Sequence, residues 1–125
     1  MPVRSLNSSV LKWPDSHTVF TAVREWAETL ASRHPSIQRI GCFGSYARGD
    51  WGVGSDVDIL MVVTHTDLPF EQRALLFDAT ALPVPADVVV YTLDEWKNLQ
   101  KNSASVRKIA AEVYWIFQRS EETIE

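Results

Sequence analysis

Apolar residues recur at helical spacing near the start of the chain and then cluster in three short segments. Between residues 19 and 31 they fall every three or four positions with charged side chains between them, which predicts a helix that ends before Pro35. The segments Ile37–Phe43, Val57–Val63 and 87–91 are short and strongly apolar. Runs of this kind are typical of β-strands, and the second is apolar on both faces, as expected inside a sheet.

The rest of the chain completes the predicted fold. Helices are predicted at 70–79, 93–100 and 106–112, and an extended segment at 113–117. Residues 1–12 lack periodicity and are predicted to be a loose N-terminal arm. We therefore expect a single α/β (α+β) domain over residues 1–125, with a short mixed sheet and helices packed on one face. The first two strands should pair antiparallel, and the second and third should pair parallel.

Composition narrows the classes of protein. A chain of 125 residues that is 46% hydrophobic can form one domain with a substantial core. Its net charge of -4 argues against direct binding to a nucleic-acid backbone. The single cysteine, Cys42, excludes an intrachain disulfide and is expected to be an inert core residue. No apolar run is as long as a membrane span and no signal peptide is recognisable, so we expect a cytoplasmic protein without membrane association.

Three aspartates mark the candidate chemistry. Asp56 and Asp58 are two positions apart at a strand start, so their side chains share a face and their Cα atoms lie roughly 7 Å apart. Such a pair can hold one metal ion, or two ions about 4 Å apart, and ligands that are all oxygen favour Mg²⁺. Asp87 begins the next strand, and the starting ends of parallel strands are neighbours. An isolated pair of this kind is more often two solvated edge residues, so the interpretation depends on Asp87 and on the segment upstream.

The glycine-rich segment upstream is predicted to bind an anion. Gly44 and Ser45 follow the first strand, with Ser45 as the expected helix N-cap and the next two backbone N–H groups facing the anion. A plain turn and helix cap would use the same residues. Arg48 is a further candidate phosphate ligand, with an ion pair to Asp50 as the equally weighted alternative. The segment is neither a Walker motif nor a dinucleotide fingerprint.

The tryptophan of the glycine-rich segment and the three histidines are weaker candidates for a functional role. Trp51, in the same loop, can stack on a base or a partner, but an anchor packed on the core is the slightly favoured interpretation. The three histidines, His17, His34 and His65, have no spacing typical of a metal site or a catalytic triad. A nucleophilic hydrolase is therefore disfavoured.

A family resemblance joins these parts. Gly44-Ser45, ten residues, and then Asp56-Val57-Asp58 resembles the signature of the DNA polymerase beta-like nucleotidyltransferase superfamily. The longer string GSYARGDWGVGSDVDILMVV is similar to its minimal nucleotidyltransferase (MNT) members, the antitoxin partners of HEPN toxins. The resemblance implies the polymerase beta-like fold, two Mg²⁺ ions on Asp56 and Asp58, and Asp87 completing one metal site beside the attacking hydroxyl. It also implies that Gly44 and Ser45 bind the triphosphate.

The activity implied by the resemblance is transfer of a nucleotidyl group from a nucleoside triphosphate to a hydroxyl. By analogy with the antitoxin members, ATP is the expected donor and a tyrosine of a HEPN-type toxin the expected acceptor. The main alternative is a neutralising antitoxin that keeps the fold and binds its partner without turnover. An antibiotic-modifying enzyme is disfavoured, because the chain has no room for a second domain that would bind the acceptor.

Overall fold

The computed structural model describes residues 14–119, and the predicted N-terminal arm lies outside them. In chain order the helices and strands are α1 (Ser16–Arg33), β1 (Ile37–Phe43), α2 (Ser45–Arg48), β2 (Val57–Val63), α3 (Phe70–Arg73), β3 (Ala86–Thr92), α4 (Leu93–Asn102), α5 (Ala104–Glu112) and β4 (Tyr114–Gln118). A 3₁₀ turn at Ala74–Leu76 follows α3. None of the helices in this described part is long and apolar enough to cross a membrane.

The four strands form one mixed sheet in the order β3-β2-β1-β4. β1 and β2 pair antiparallel, and β2 and β3 pair parallel, which confirms both expected pairings. β4 adds to the free edge of β1 in the antiparallel sense. The strands β1 and β2 have the predicted bounds, because a mostly apolar segment between polar loops marks both ends of a buried strand.

Helices cover both faces of this sheet, so the expectation of a single covered face is wrong. Ile59 and Met61 of β2 pack in one core with α1. Leu60 and Val62 point the other way and pack with Trp96 of α4 and with α5. A strand that is apolar on both faces needs cover on both sides, and α4 and α5 supply the second layer.

The helix predicted at 70–79 is shorter than expected. It is one turn of α-helix followed by the 3₁₀ turn, and Phe77 already has extended backbone angles. The side chain of Asp78 accepts hydrogen bonds from the backbone N–H and the hydroxyl of Thr80, at 2.9 and 2.7 Å. Aspartate bonds of this local kind compete with the helical pattern, and here they stabilise a turn.

Arg73, which the sequence pattern did not single out, connects three elements. Its guanidinium donates to both carboxylate oxygens of Glu95 on α4, at 2.6 and 3.1 Å. It also donates to the carbonyl oxygens of Leu68 and Val90, at 3.0 and 3.1 Å. Arg73 is only 8% exposed. Its hydrogen bonds lower the pKa of Glu95 below the ordinary value, because they favour the charged carboxylate.

Replacing Arg73 with Met should lower the free energy of unfolding by about 2–3 kcal/mol at neutral pH, since several polar groups lose their donor. The lowered pKa of Glu95 means that its share of this stability is present above the ordinary glutamate pKa of 4.5 and is lost as pH falls below it. The difference between wild type and variant should therefore shrink in acid. Urea unfolding at about pH 7 and about pH 3.5 measures both values.

Arg107→Met is the matched control, because Arg107 is exposed and donates only to two carbonyls at the end of α4. It should change stability by less than about 0.5 kcal/mol. An equal loss for Arg73→Met at both pH values would instead assign the stabilisation to the carbonyls of Leu68 and Val90.

Candidate functional site

The strand register brings the predicted carboxylates to one edge of the sheet. Asp58 is the second residue of β2, and its partner in the parallel ladder is Asp87 of β3. Asp56 is two residues before Asp58, so all three positions belong to the sheet face covered by α4 and α5. The juxtaposition expected from parallel pairing is therefore present in the structure.

The electrostatics of Asp58 show the cost of this arrangement. Partial burial raises the pKa of Asp58, and the negative charges of Asp87 and Asp56 raise it further. Arg48 acts in the opposite direction. A bound cation would relieve this repulsion, and carboxylate oxygens are the ligands that Mg²⁺ prefers, so the donor chemistry fits that ion. Within residues 14–119 no three His, Cys, Asp or Glu side chains are already arranged to hold a metal, and Mg²⁺ binding stays a prediction.

Gly44 places the end of β1 against these acids. Its backbone angles are φ 77° and ψ −151°, a region open essentially to glycine alone. A Cβ atom at this position would collide with the carboxylate of Asp58. The backbone conformation favours glycine, and a Cβ would displace the Asp58 carboxylate, so the glycine-serine turn and the acids form one site.

The predicted helix cap at Ser45 is wrong. Ser45 is the first residue of the four-residue helix α2, and Gly44 is the N-cap without a side-chain capping bond. The carbonyl of Ser45 accepts from the N–H groups of Gly49 and Asp50 at 2.9 and 3.0 Å, which closes this single turn. The positive φ of Gly44 turns the chain sharply, and helical geometry then begins at Ser45. This is one residue earlier than a serine N-cap predicts.

Of the two alternatives for Arg48, the structure contains the ion pair with Asp50, while phosphate binding stays a prediction. The Nε of Arg48 donates to Asp50 at 3.2 Å, so the expected ion pair is present. Its side chain also lines the same cleft as Gly44 and Asp58, and half of it is exposed. The surface ion pair with Asp50 is weak enough to leave Arg48 available to an anion.

Two residues of α5 complete the site and escaped the sequence analysis. Lys108 and Glu112 line the cleft with Gly44, Arg48 and Asp58, and its volume is about 470 Å³. Glu112 accepts a hydrogen bond from the backbone N–H of Gly44 at 2.8 Å. Their spacing of four residues on a predicted helix indicated a shared face. Nothing in the sequence indicated that this face meets the glycine-serine turn.

Cleft size does not identify this site. Clefts of about 690 and 830 Å³ lie elsewhere on the described part of the chain, and neither is lined by Gly44, Ser45, Arg48 or the three aspartates. The smaller cleft is distinguished by its chemistry, since it joins the carboxylate edge to backbone and side-chain donors.

The remaining candidates are structural. Trp51 stacks on Tyr46, with ring centroids 5.3 Å apart and an angle of 6° between the planes, and it packs against the main core. This favours the anchor interpretation of Trp51. Cys42 is fully buried in β1, and burial raises the pKa of its thiol to about 12, which fits the expected inert residue.

Solved structures with a similar fold support this architecture. A crystal structure of a nucleotidyltransferase from Sulfolobus solfataricus, assigned provisionally, aligns with a TM-score of 0.63 and 21% identity over 85% of this chain and 86% of that one. A toxin-antitoxin structure with AMP-PNP aligns with a TM-score of 0.52 and 20% identity over 79% of this chain and 76% of that one. Likeness at this level of identity concerns the fold.

Sequence comparison identifies the family. The protein MJ0604 of Methanocaldococcus jannaschii, provisionally named a protein adenylyltransferase, is 48% identical over 42 residues, which are 33% of this chain and 42% of the relative. The match therefore spans less than half the length of that relative. The family described as "Nucleotidyltransferase domain" matches residues 23–112, which include both the glycine-serine turn and the three aspartates. This chain therefore belongs to the nucleotidyltransferase domain family.

Proposed function

We propose that this domain is a Mg²⁺-dependent protein adenylyltransferase that transfers AMP from ATP to a tyrosine hydroxyl of a HEPN-type toxin and so acts as an antitoxin. The observation that carries the proposal is the alignment of Asp58 with Asp87 across β2 and β3, with Gly44 packed against the carboxylate of Asp58. An acidic edge beside a donor-bearing turn suits a metal-bound triphosphate.

Two similarities support the choice of donor and acceptor. The partial relative MJ0604 carries the name of a protein adenylyltransferase, and the solved toxin-antitoxin structure contains AMP-PNP, an analogue of ATP. The first favours a protein as acceptor, and the second favours an adenine nucleotide as donor and a toxin as partner.

In the proposed reaction the acceptor oxygen attacks the α-phosphorus in line. The new oxygen–phosphorus bond forms as the bond to the pyrophosphate oxygen breaks, and the hydroxyl proton is released. Asp56, Asp58 and Asp87 would hold the metal ions at the sheet edge, while the Gly44 turn and Arg48 orient the triphosphate. When bound, Mg²⁺ supplies charge neutralisation and lowers the pKa of the attacking hydroxyl.

ATP binding should depend on a divalent ion, because the free triphosphate would face three carboxylates. Calorimetric titration of ATP into the protein with Mg²⁺ should give an affinity at least about tenfold higher than the same titration in excess chelator. Equal affinity under the two conditions would contradict the proposed site.

The acceptor is tested separately. A co-purified HEPN-type toxin is incubated with ATP, Mg²⁺ and this protein, and mass spectrometry should find an AMP group on a tyrosine of the toxin. A tight complex that neutralises the toxin without any such modification would indicate the non-catalytic binding module instead.

A further inference from the structure

A carboxylate of the chain itself occupies the donors assigned to the triphosphate. Glu112 is the last residue of α5, and its Oε2 accepts from the Gly44 N–H at 2.8 Å. Both of its carboxylate oxygens also lie 3.5 Å from a guanidinium nitrogen of Arg48. The side chain is 21% exposed and reaches this position from across the cleft. An anionic group thus already sits between the two donors.

We propose that Glu112 is a further residue of the nucleotide site, which holds the triphosphate position in the nucleotide-free protein and is displaced when the triphosphate binds. The inference depends on the proposed function, because it assigns Gly44 and Arg48 to the triphosphate. A carboxylate and a phosphate oxygen use the same N–H and guanidinium donors, so the two anions cannot occupy them together.

The contacts of Glu112 with Gly44 and Arg48 are strong enough to compete with a triphosphate and weak enough to be replaced by it. The bond to Gly44 is a short hydrogen bond to a charged acceptor, but the contacts to Arg48 are long and Arg48 is half exposed. Lys108, one helical turn earlier on α5, lies in the same cleft. It offers the displaced carboxylate a new partner, since residues four apart on a helix are neighbours.

Competition of this kind lowers the measured affinity for the nucleotide. Only molecules in which Glu112 has left the donors can bind the triphosphate there, so the apparent dissociation constant rises by the inverse of that fraction. Glu112→Ala should therefore bind ATP with Mg²⁺ about three- to tenfold more tightly than the wild type.

Loss of a negative charge near the triphosphate would also raise affinity, whether or not Glu112 touches Gly44. Glu112→Asp separates the two effects, because it keeps the charge and withdraws the carboxylate by one methylene. Displacement predicts tighter ATP binding for Glu112→Asp as well. A purely electrostatic effect predicts wild-type affinity for this variant and would overturn the inference.

The experiment is a set of calorimetric titrations with ATP and Mg²⁺ on the wild type, Glu112→Asp and Glu112→Ala, each first shown to be folded by circular dichroism. With ¹⁵N-labelled proteins, the Gly44 amide resonance of each variant should be shifted from its wild-type position, and ATP binding should also shift it in the wild type. Weaker binding by the variants would mean that Glu112 positions the turn for the nucleotide, and the inference would fail. Absence of ATP binding by the wild type would refute the proposed function itself, together with everything that depends on it.

Discussion

Asp58→Asn is expected to abolish nucleotidyl transfer without lowering the stability of the metal-free protein. Asp58 lies at the centre of the site, between Gly44 of the turn and Asp87 of the neighbouring strand. An amide cannot neutralise a divalent ion, so the rate of transfer should fall at least about 10²- to 10³-fold. Burial and two neighbouring aspartates already raise the pKa of Asp58, so removing its charge relieves repulsion in the folded state.

Two measurements test this expectation together. The rate of transfer is measured as the release of pyrophosphate, and thermal unfolding is recorded in the presence of chelator. Both measurements are made on the wild type and on Asp58→Asn. Asp67→Asn is the matched control, because Asp67 is an exposed acid in the loop that follows β2. It should leave both quantities unchanged. A clearly lower unfolding temperature of Asp58→Asn in chelator would mean that Asp58 has a structural role.

The carboxylate edge could be predicted because local rules determine it. The apolar runs located β1 and β2, and the crossover between β2 and β3 is long enough for a parallel connection. Parallel strands begin at the same edge, so the sequence alone predicts that Asp58 lies beside Asp87, as the strand register confirms. The part of the site formed by neighbouring strands therefore follows from periodicity and connection length.

The features that the sequence did not predict depend on contacts between distant segments of the chain. Glu112 lies 68 residues after the Gly44 amide it binds, and Arg73 reaches Glu95 and Val90 across two connections. Long polar side chains on a helix surface look alike in sequence whether they face water or a cleft. The second helical layer was missed for a related reason, because the pattern shows that β2 is apolar on both faces but not which helices cover each face.

The predicted N-cap at Ser45 is wrong because the backbone conformation of Gly44 decides where helix α2 begins, and the capping preference of serine does not. Serine is a common N-cap, but the N-cap here is Gly44, whose backbone angles of φ 77° and ψ −151° are essentially restricted to glycine. Helical geometry then begins at Ser45 itself. The turn is nevertheless close to the acidic edge, since a Cβ at position 44 would meet the carboxylate of Asp58.

Gly44→Ala should consequently damage both the fold and the reaction. The backbone angles of Gly44 are strained for any residue with a Cβ, and the added methyl group would meet the Asp58 carboxylate. The free energy of unfolding should fall by about 2–4 kcal/mol. The carboxylate can rotate away from the methyl group, but it then leaves the position opposite Asp87, so transfer should fall at least about 100-fold even in molecules that remain folded.

Gly49→Ala is the matched control for the backbone part of this effect. Gly49 also has a positive φ, 84°, but a Cβ there would meet nothing within 4 Å. Its conformation is ordinary left-handed helix, so the variant should lose only about 1–2 kcal/mol and keep its transfer activity when folded. Urea unfolding and pyrophosphate release on the two alanine variants separate backbone strain from the collision with Asp58.

A double-mutant cycle isolates the contact itself. Asp58→Ala removes the atoms that the new methyl group would meet, so part of the stability lost in Gly44→Ala should return when the two substitutions are combined. The coupling should be about 1 kcal/mol, because the collision involves the mobile end of one side chain. Two results together would contradict this link between the turn and the acidic edge. The stability losses of Gly44→Ala and Asp58→Ala would be strictly additive, and Gly44→Ala would be as active as Gly49→Ala. The position of the Asp58 carboxylate would then not depend on glycine at position 44.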